Sequence, residues 1–161
     1  MSFILANYYL PLSGAFYFFR GLVRMAVYLL YPMFLMVLLT FTVGFLTVKA
    51  RFTSVKDGDV KAKYYRLMNG QDVPEIITKT TRNFNNQFEI PTLFYVVCTL
   101  YISFGIESFI ALVCAWLFVV LRIVHSYIHL TYNHVMHRMF TFFAAFICVM
   151  VLWINLLVQK I

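Results

Sequence analysis

The sequence predicts an all-α integral membrane protein, built as a bundle of four helices that each cross the bilayer. Two observations predict this class. The chain is 63% hydrophobic and only 12% charged, with a mean hydropathy of +0.83, whereas a soluble domain is about half apolar and a quarter charged. Its apolar residues also fall into four runs, at 25–48, 82–104, 108–132 and 139–158. Each run is long enough, or nearly so, to cross a hydrocarbon core of about 30 Å.

The chain divides into an N-terminal segment, residues 1–24, and a four-span membrane domain, residues 25–161. The N-terminal segment is mostly uncharged, but Pro11 and Gly14 interrupt it. It lacks the basic start of a signal peptide, and its many aromatic residues are typical of the membrane interface. We therefore expect it to lie at the interface and to lead into the first span. The alternative is a fifth span.

The charges of the loops predict the orientation of the bundle. Eight of the thirteen Lys and Arg residues lie in the loop 49–82. The turn at 105–107 contains no Lys or Arg and carries Glu107. The positive-inside rule then places the loops 49–82 and 132–138 in the cytoplasm. Because the net charge of +7 is concentrated in one loop of a membrane protein, it does not indicate a nucleic-acid partner.

A polar motif stands where the second run begins. Arg82, Asn86 and Glu89 are spaced i, i+4 and i+7, so on a continuous helix they share one face. Residues 90–106 contain no charge. Glu89 is therefore expected inside a membrane-spanning helix, where ionisable groups are costly and usually functional.

The third run carries a second polar face, formed by Arg122, His125 and His129 at i, i+3 and i+7. Counting the helical rise places Arg122 about 9 Å and Glu89 about 10 Å from the same edge of the membrane core. Because a buried charge needs a partner, we expect Glu89 and Arg122 to form an ion pair between neighbouring helices. The alternative is that this pair only clamps the two helices together and holds no ligand.

These residues predict a polar funnel on the cytoplasmic side, lined by all four helices. It contains one acid, Glu89, and the bases Lys49, Arg51, Arg82, Arg122 and Arg138. Such an excess of cations attracts anions, and arginine offers bidentate geometry to carboxylates. The alternatives are that the arginines at helix ends snorkel to the interface and that the lysine and arginine near residue 50 are ordinary loop charges.

Histidine ligation of a metal or haem is the other open alternative. His125 and His129 stand at i and i+4, but all four histidines lie within thirteen residues and no cysteine or second acid joins them. We therefore expect no metal site. Cys98, Cys114 and Cys148 fall in apolar runs without C-x-x-C spacing, so we expect them to pack inside the bundle or against lipid.

The polar motifs together resemble a known family. The sequence Arg82-x3-Asn86-x2-Glu89 is followed by Pro91, and arginines stand in the third helix and at the start of the fourth. This pattern resembles the signature of the membrane-associated proteins in eicosanoid and glutathione metabolism, the MAPEG family, over about residues 25–158. The resemblance implies a homotrimer of four-helix protomers, in the manner of the microsomal glutathione transferases. It also implies that glutathione binds as a co-substrate between subunits, near the cytoplasmic side.

The resemblance further implies a role for each polar position. Arg82, Asn86 and Glu89 would hold glutathione, with Glu89 receiving the γ-glutamyl amino group. Arg138 would stabilise the glutathione thiolate and so take the catalytic role. Arg122, His125, His129 and Lys49 match further positions of the family and are expected to bind glutathione. Arg51, a base of the predicted funnel, is expected to bind it as well.

The predicted function is therefore that of a glutathione transferase or peroxidase acting on lipophilic electrophiles from the membrane lipid. The alternative is a non-enzymatic structural or regulatory membrane protein on the same scaffold.

Overall fold

The structure is a computed structural model that describes residues 25–161. Residues 25–27 are also helical, and within this range the chain forms five complete α-helices and one 3-10 helix, with no strands. In chain order they are α1 (Leu30–Lys56), the 3-10 helix (Ala62–Arg66), α2 (Glu75–Asn85), α3 (Ile90–Phe104), α4 (Phe109–Leu130) and α5 (Val135–Lys160). The expectation that residues 1–24 lie at the membrane interface falls outside the described residues.

Four helical segments are long and apolar enough to cross a membrane. They are Met25–Lys56, Glu75–Phe104, Phe109–Leu130 and Val135–Lys160. The prediction of an all-α membrane bundle with four spans is therefore confirmed. The second span consists of α2 and α3 in succession, and the first continues past its predicted end at residue 48.

The turn between α3 and α4 follows from its local sequence. Gly105 ends α3 in the left-handed conformation, with φ of 62°, which glycine adopts without the steric penalty of a side chain. The side chain of Ser108 then accepts a hydrogen bond of 3.2 Å from the backbone N–H of Ala111, and this caps the start of α4. The two helices are thus joined by a short reversal of the chain.

Polar contacts at one end of the bundle show how the helices alternate in direction. Asn155, near the end of α5, accepts hydrogen bonds from Tyr101 (2.7 Å) and Ser108 (2.8 Å). The backbone N–H of Met25, before α1, donates to Glu107 at 3.3 Å. The start of the first span, the α3–α4 turn and the end of α5 therefore lie together. The end of α1 and the α4–α5 turn lie at the opposite end.

The core of the bundle is apolar and is centred on α4. The rings of Phe94 and Phe118 are fully buried and stack with their centroids 4.4 Å apart, which joins α3 to α4. Among the described helices, α4 and α5 share the most extensive contact. They bury the alanines Ala111, Ala115 and Ala145. Small residues allow helices to approach closely within a membrane.

The hydroxyl of Tyr101 provides a test of the packing at this end of the bundle. It lies 2.7 Å from Asn155 Oδ1 and 3.1 Å from the carbonyl oxygen of Leu152. We expect Tyr101→Phe to lower the free energy of unfolding by about 1 kcal/mol, because buried acceptors lose their donor. The thermal unfolding midpoint in detergent measures this change. Tyr127→Phe, at an exposed position, is the control, and an equal loss in both variants would contradict the assignment.

Candidate functional site

The second span is broken where its polar motif lies. α2 ends at Asn85 and α3 begins at Ile90, and Glu89 has a non-helical backbone with φ of −85° and ψ of −98°. Pro91 accounts for the break, because it has no N–H to bond to a carbonyl four residues earlier. The prediction that Arg82, Asn86 and Glu89 share one face of a continuous helix is therefore wrong. Arg82 lies in the last turn of α2, Asn86 directly follows that helix, and Glu89 directly precedes α3.

Arg122 reaches this break from α4. It is fully buried, at 0% exposure, and its Nη2 donates a hydrogen bond of 2.6 Å to the carbonyl oxygen of Asn86. The predicted ion pair between Glu89 and Arg122 is absent. Glu89 is exposed in the single chain and lies within electrostatic range of Arg122 without contacting it. The break explains the difference, because it turns Glu89 away and frees a backbone carbonyl in its place.

Several buried nitrogen atoms near Arg122 have no hydrogen-bond partner among the described residues. They are Nε and Nη1 of Arg122, Nε2 of His125, both ring nitrogens of His129 and Nε of Arg138. We call these four residues the Arg122 cluster. Buried polar atoms without partners are costly, and most of these are donors. The arrangement is therefore suited to a ligand that is rich in acceptors.

Arg138 contacts the cluster through its backbone, while its side chain is fixed by a residue of the α4–α5 turn. Its carbonyl oxygen lies 3.1 Å from Nδ1 of His125. Because a carbonyl can only accept, Nδ1 carries the proton and Nε2 of His125 keeps a free lone pair. The guanidinium of Arg138 is held by Asn133, whose Oδ1 accepts a hydrogen bond of 2.6 Å from Nη1. The rings of His125 and His129 lie 5.7 Å apart, and Arg82 lies within electrostatic range of His129.

A buried polar network that the sequence did not predict connects the break to α4. Ser126 Oγ donates to Asn83 Oδ1 at 3.1 Å, and Gln87 Nε2 donates to Ser126 Oγ at 3.1 Å. All three side chains are buried. The i, i+4 spacing of Asn83 and Gln87 could have indicated that the two side chains share a helix face. The neighbouring charged motif is more conspicuous in the sequence. The network ties α2 and the break to α4.

The two bases of α1 lie elsewhere in the single chain. Arg51 donates to Thr81 Oγ1 at 3.2 Å, and its guanidinium lies 5.6 Å from the ring centroid of Tyr65. Lys49 is exposed and lines a separate groove of about 390 Å³ between α1 and α2. Neither residue forms a hydrogen bond with the Arg122 cluster. Within one chain, the cluster is therefore built by α4, α5 and the break in the second span.

The cysteines and acids do not add a metal site to this arrangement. Over residues 25–161, no three or more His, Cys, Asp or Glu side chains come together in a way that could hold a metal ion. Cys98 and Cys148 are buried and Cys114 is partly buried within the bundle.

These features define a multi-pass α-helical membrane protein with a donor-rich cluster buried beside a broken span. The model of the MAPEG family matches residues 29–158. The chain therefore belongs to the MAPEG family, whose members are membrane helical bundles associated with glutathione. No curated protein and no solved structure matches the chain.

The buried network gives a second test. We expect Asn83→Ala to lower the free energy of unfolding by about 1–3 kcal/mol, because Ser126 and Gln87 lose a buried partner. Asn85→Ala is the matched control, since Asn85 is exposed on the same helix. Thermal unfolding in detergent measures both variants. A loss at Asn85 as large as that at Asn83 would show that the network does not carry the effect.

Proposed function

We propose that the protein binds glutathione at the Arg122 cluster and uses it to conjugate or reduce lipophilic electrophiles that enter from the membrane. The observation that carries this proposal is the set of buried nitrogen donors without partners on Arg122, His129 and Arg138. In a family associated with glutathione, a tripeptide with two carboxylates is the ligand that best matches such a set.

The groups of glutathione have suitable counterparts around the break. Its carboxylates would be bound by Arg122 and Arg82, because arginine forms strong, charge-assisted hydrogen bonds to carboxylates. Its γ-glutamyl ammonium would be bound by Glu89, which forms no ion pair within the described residues. Nε2 of His125 and the side chain of Asn86 would meet the peptide groups, and Nε2 offers an acceptor to an N–H.

Arg138 is the proposed catalytic residue. A free thiol has a pKa of about 8.5 and is a poor nucleophile at neutral pH. A guanidinium beside the sulfur favours the thiolate and so lowers the pKa of the thiol. In conjugation, the thiolate sulfur forms a bond to an electrophilic carbon, and the leaving group departs with its electron pair.

A site completed by a second copy of the chain accounts for the exposed members of the motif. Arg82, Glu89 and Lys49 are exposed in the single chain although they flank membrane spans. We propose that they meet glutathione at the interfaces of a homotrimer, together with Arg51. The eight basic residues of the loop 49–82 favour the cytoplasmic side for this site.

One observation favours the non-enzymatic alternative. The hydrogen bond from Arg122 to the Asn86 carbonyl already joins two helices without a ligand. On this alternative the cluster only fixes helix packing in a structural or regulatory membrane protein. Binding and activity measurements on the same preparation separate the two functions.

Arg138→Ala tests the catalytic proposal. We expect glutathione binding to persist while conjugation of a chlorinated nitrobenzene falls by about 100-fold, because the thiolate loses its cation. Ultraviolet thiolate absorbance on titration with glutathione should disappear at neutral pH and return at higher pH. Arg138→Lys is the control, since it keeps the positive charge and should retain part of the activity. Wild-type protein that binds glutathione but shows neither thiolate nor conjugation would support the non-enzymatic alternative.

Glu89→Gln tests how glutathione is held. We expect the dissociation constant for glutathione to rise about tenfold, because the ammonium loses a charged partner. Equilibrium binding to detergent-solubilised protein measures this change, and light scattering follows the oligomer. Glu75→Gln is the control, because Glu75 pairs with Lys79 at 2.9 Å in α2 and is not assigned to the site. Loss of assembly in Glu89→Gln with unchanged glutathione affinity would instead assign Glu89 to packing.

A further inference from the structure

A basic groove lies on the loop between α1 and α2, away from the Arg122 cluster. It has a volume of about 580 Å³, and its lining includes Lys61, Lys63, Tyr64 and Arg66. The acids of this loop, Asp57, Asp59 and Asp72, do not line it. None of the three cations forms an ion pair with any residue in the range 25–161. The groove therefore offers three positive charges to an anion.

The backbone around this groove is closed by hydrogen bonds. The side chain of Gln71 donates to the carbonyl oxygen of Asp59 at 2.9 Å and accepts from the N–H of Lys61 at 3.2 Å. Gly70 turns the chain with φ of 81°, a value that glycine adopts readily. The end of the loop is thus bonded to its beginning, and the groove is formed in the absence of a ligand.

An apolar groove of about 370 Å³ lies on the other side of the same 3-10 helix. It is lined by Val48, Phe52 and Val55 of α1, by Ala62 and Tyr65, and by Arg51. Phe52 is 74% exposed near the end of the first span. Tyr65 is held in place by a hydrogen bond of 2.7 Å to Ser54. The apolar surface of α1 therefore extends onto the 3-10 helix of the loop.

The cationic groove and the apolar groove both border the 3-10 helix. Two adjacent residues of this helix line different grooves: Tyr64 lines the cationic one and Tyr65 the apolar one. An amphiphile with an anionic head and a hydrocarbon tail matches both surfaces at once. We propose that this loop binds an anionic phospholipid, with its phosphate among Lys61, Lys63 and Arg66 and one acyl chain along Val48, Phe52 and Val55. This site lies outside the Arg122 cluster. It shares Arg51 with the proposed glutathione site but does not depend on glutathione binding.

The charge of the lining selects the lipid. Each Lys or Arg near an anionic lipid strengthens binding about fivefold. Three such residues without an acid should therefore favour phosphatidylglycerol over phosphatidylcholine by tenfold or more. Native mass spectrometry of the full chain in detergent, titrated with each lipid at matched acyl chains, measures this preference.

Substitutions of the cations test the head-group half of the site. Combining Lys61→Gln, Lys63→Gln and Arg66→Gln should abolish the preference for phosphatidylglycerol. The control combines Lys56→Gln, Lys79→Gln and Lys160→Gln, which removes the same charge outside the groove, and it should keep the preference. Equal binding of the two lipids by wild-type protein, or an equal loss in both triple variants, would overturn the proposal.

A second pair of variants tests the acyl-chain half. Phe52→Ala should weaken phosphatidylglycerol binding severalfold, while Phe45→Ala should not. Phe45 is 68% exposed on the same helix and lines neither groove. Inorganic phosphate should compete with the lipid only at concentrations at least 100-fold higher. Competition by phosphate at concentrations close to those of the lipid would assign the groove to a soluble anion and overturn the lipid site. Equal lipid binding by the Phe52→Ala and Phe45→Ala variants would also overturn it.

Discussion

The burial of Arg122 is the constraint on which the polar interior of this protein depends. A guanidinium with no exposure inside a membrane bundle needs acceptors, and the only one it has within the described residues is the carbonyl oxygen of Asn86. That carbonyl is available because the second span is interrupted. The break in the helix and the buried charge therefore belong together, since non-helical backbone at membrane depth is tolerated where protein covers it.

The groups around this contact extend the same arrangement. Asn83, Gln87 and Ser126 hydrogen-bond to one another on one side of the break, although Oε1 of Gln87 has no partner among the described residues. On the other side, Arg122, His125 and His129 leave nitrogens unpartnered. Hydrogen bonds within a buried network confer rigidity, whereas buried donors without a partner are costly. A hydrogen-bonded network that joins α2 to α4 therefore lies beside donors that have no partner among the described residues.

The sequence was sufficient to predict the four membrane spans, but it did not predict the break in the backbone at the site. Uninterrupted apolar runs located all four spans, because the bilayer imposes a minimum length on any helix that crosses it. The depth count brought Arg122 to the level of the polar motif but paired it with Glu89, whereas Arg122 contacts Asn86. It failed for Glu89, because the count assumed a continuous helix through Pro91. The acceptor of Arg122 is a backbone atom of Asn86, and periodicity of side chains carries no signal for such a partner. The placement of Lys49 and Arg51 depends on how the loop folds over α1, which charge patterns do not specify.

Position 138 contributes a side-chain guanidinium and a backbone carbonyl to the cluster, and a substitution affects the two differently. The guanidinium of Arg138 belongs to the side chain and is lost in any substitution. The carbonyl that fixes the tautomer of His125 belongs to the backbone and is retained by every residue type. The hydrogen bond that directs the proton to Nδ1 of His125 is therefore set by where α5 begins, because every residue type at position 138 supplies the same carbonyl. A descendant of this chain can exchange the charge at 138 and keep this hydrogen bond.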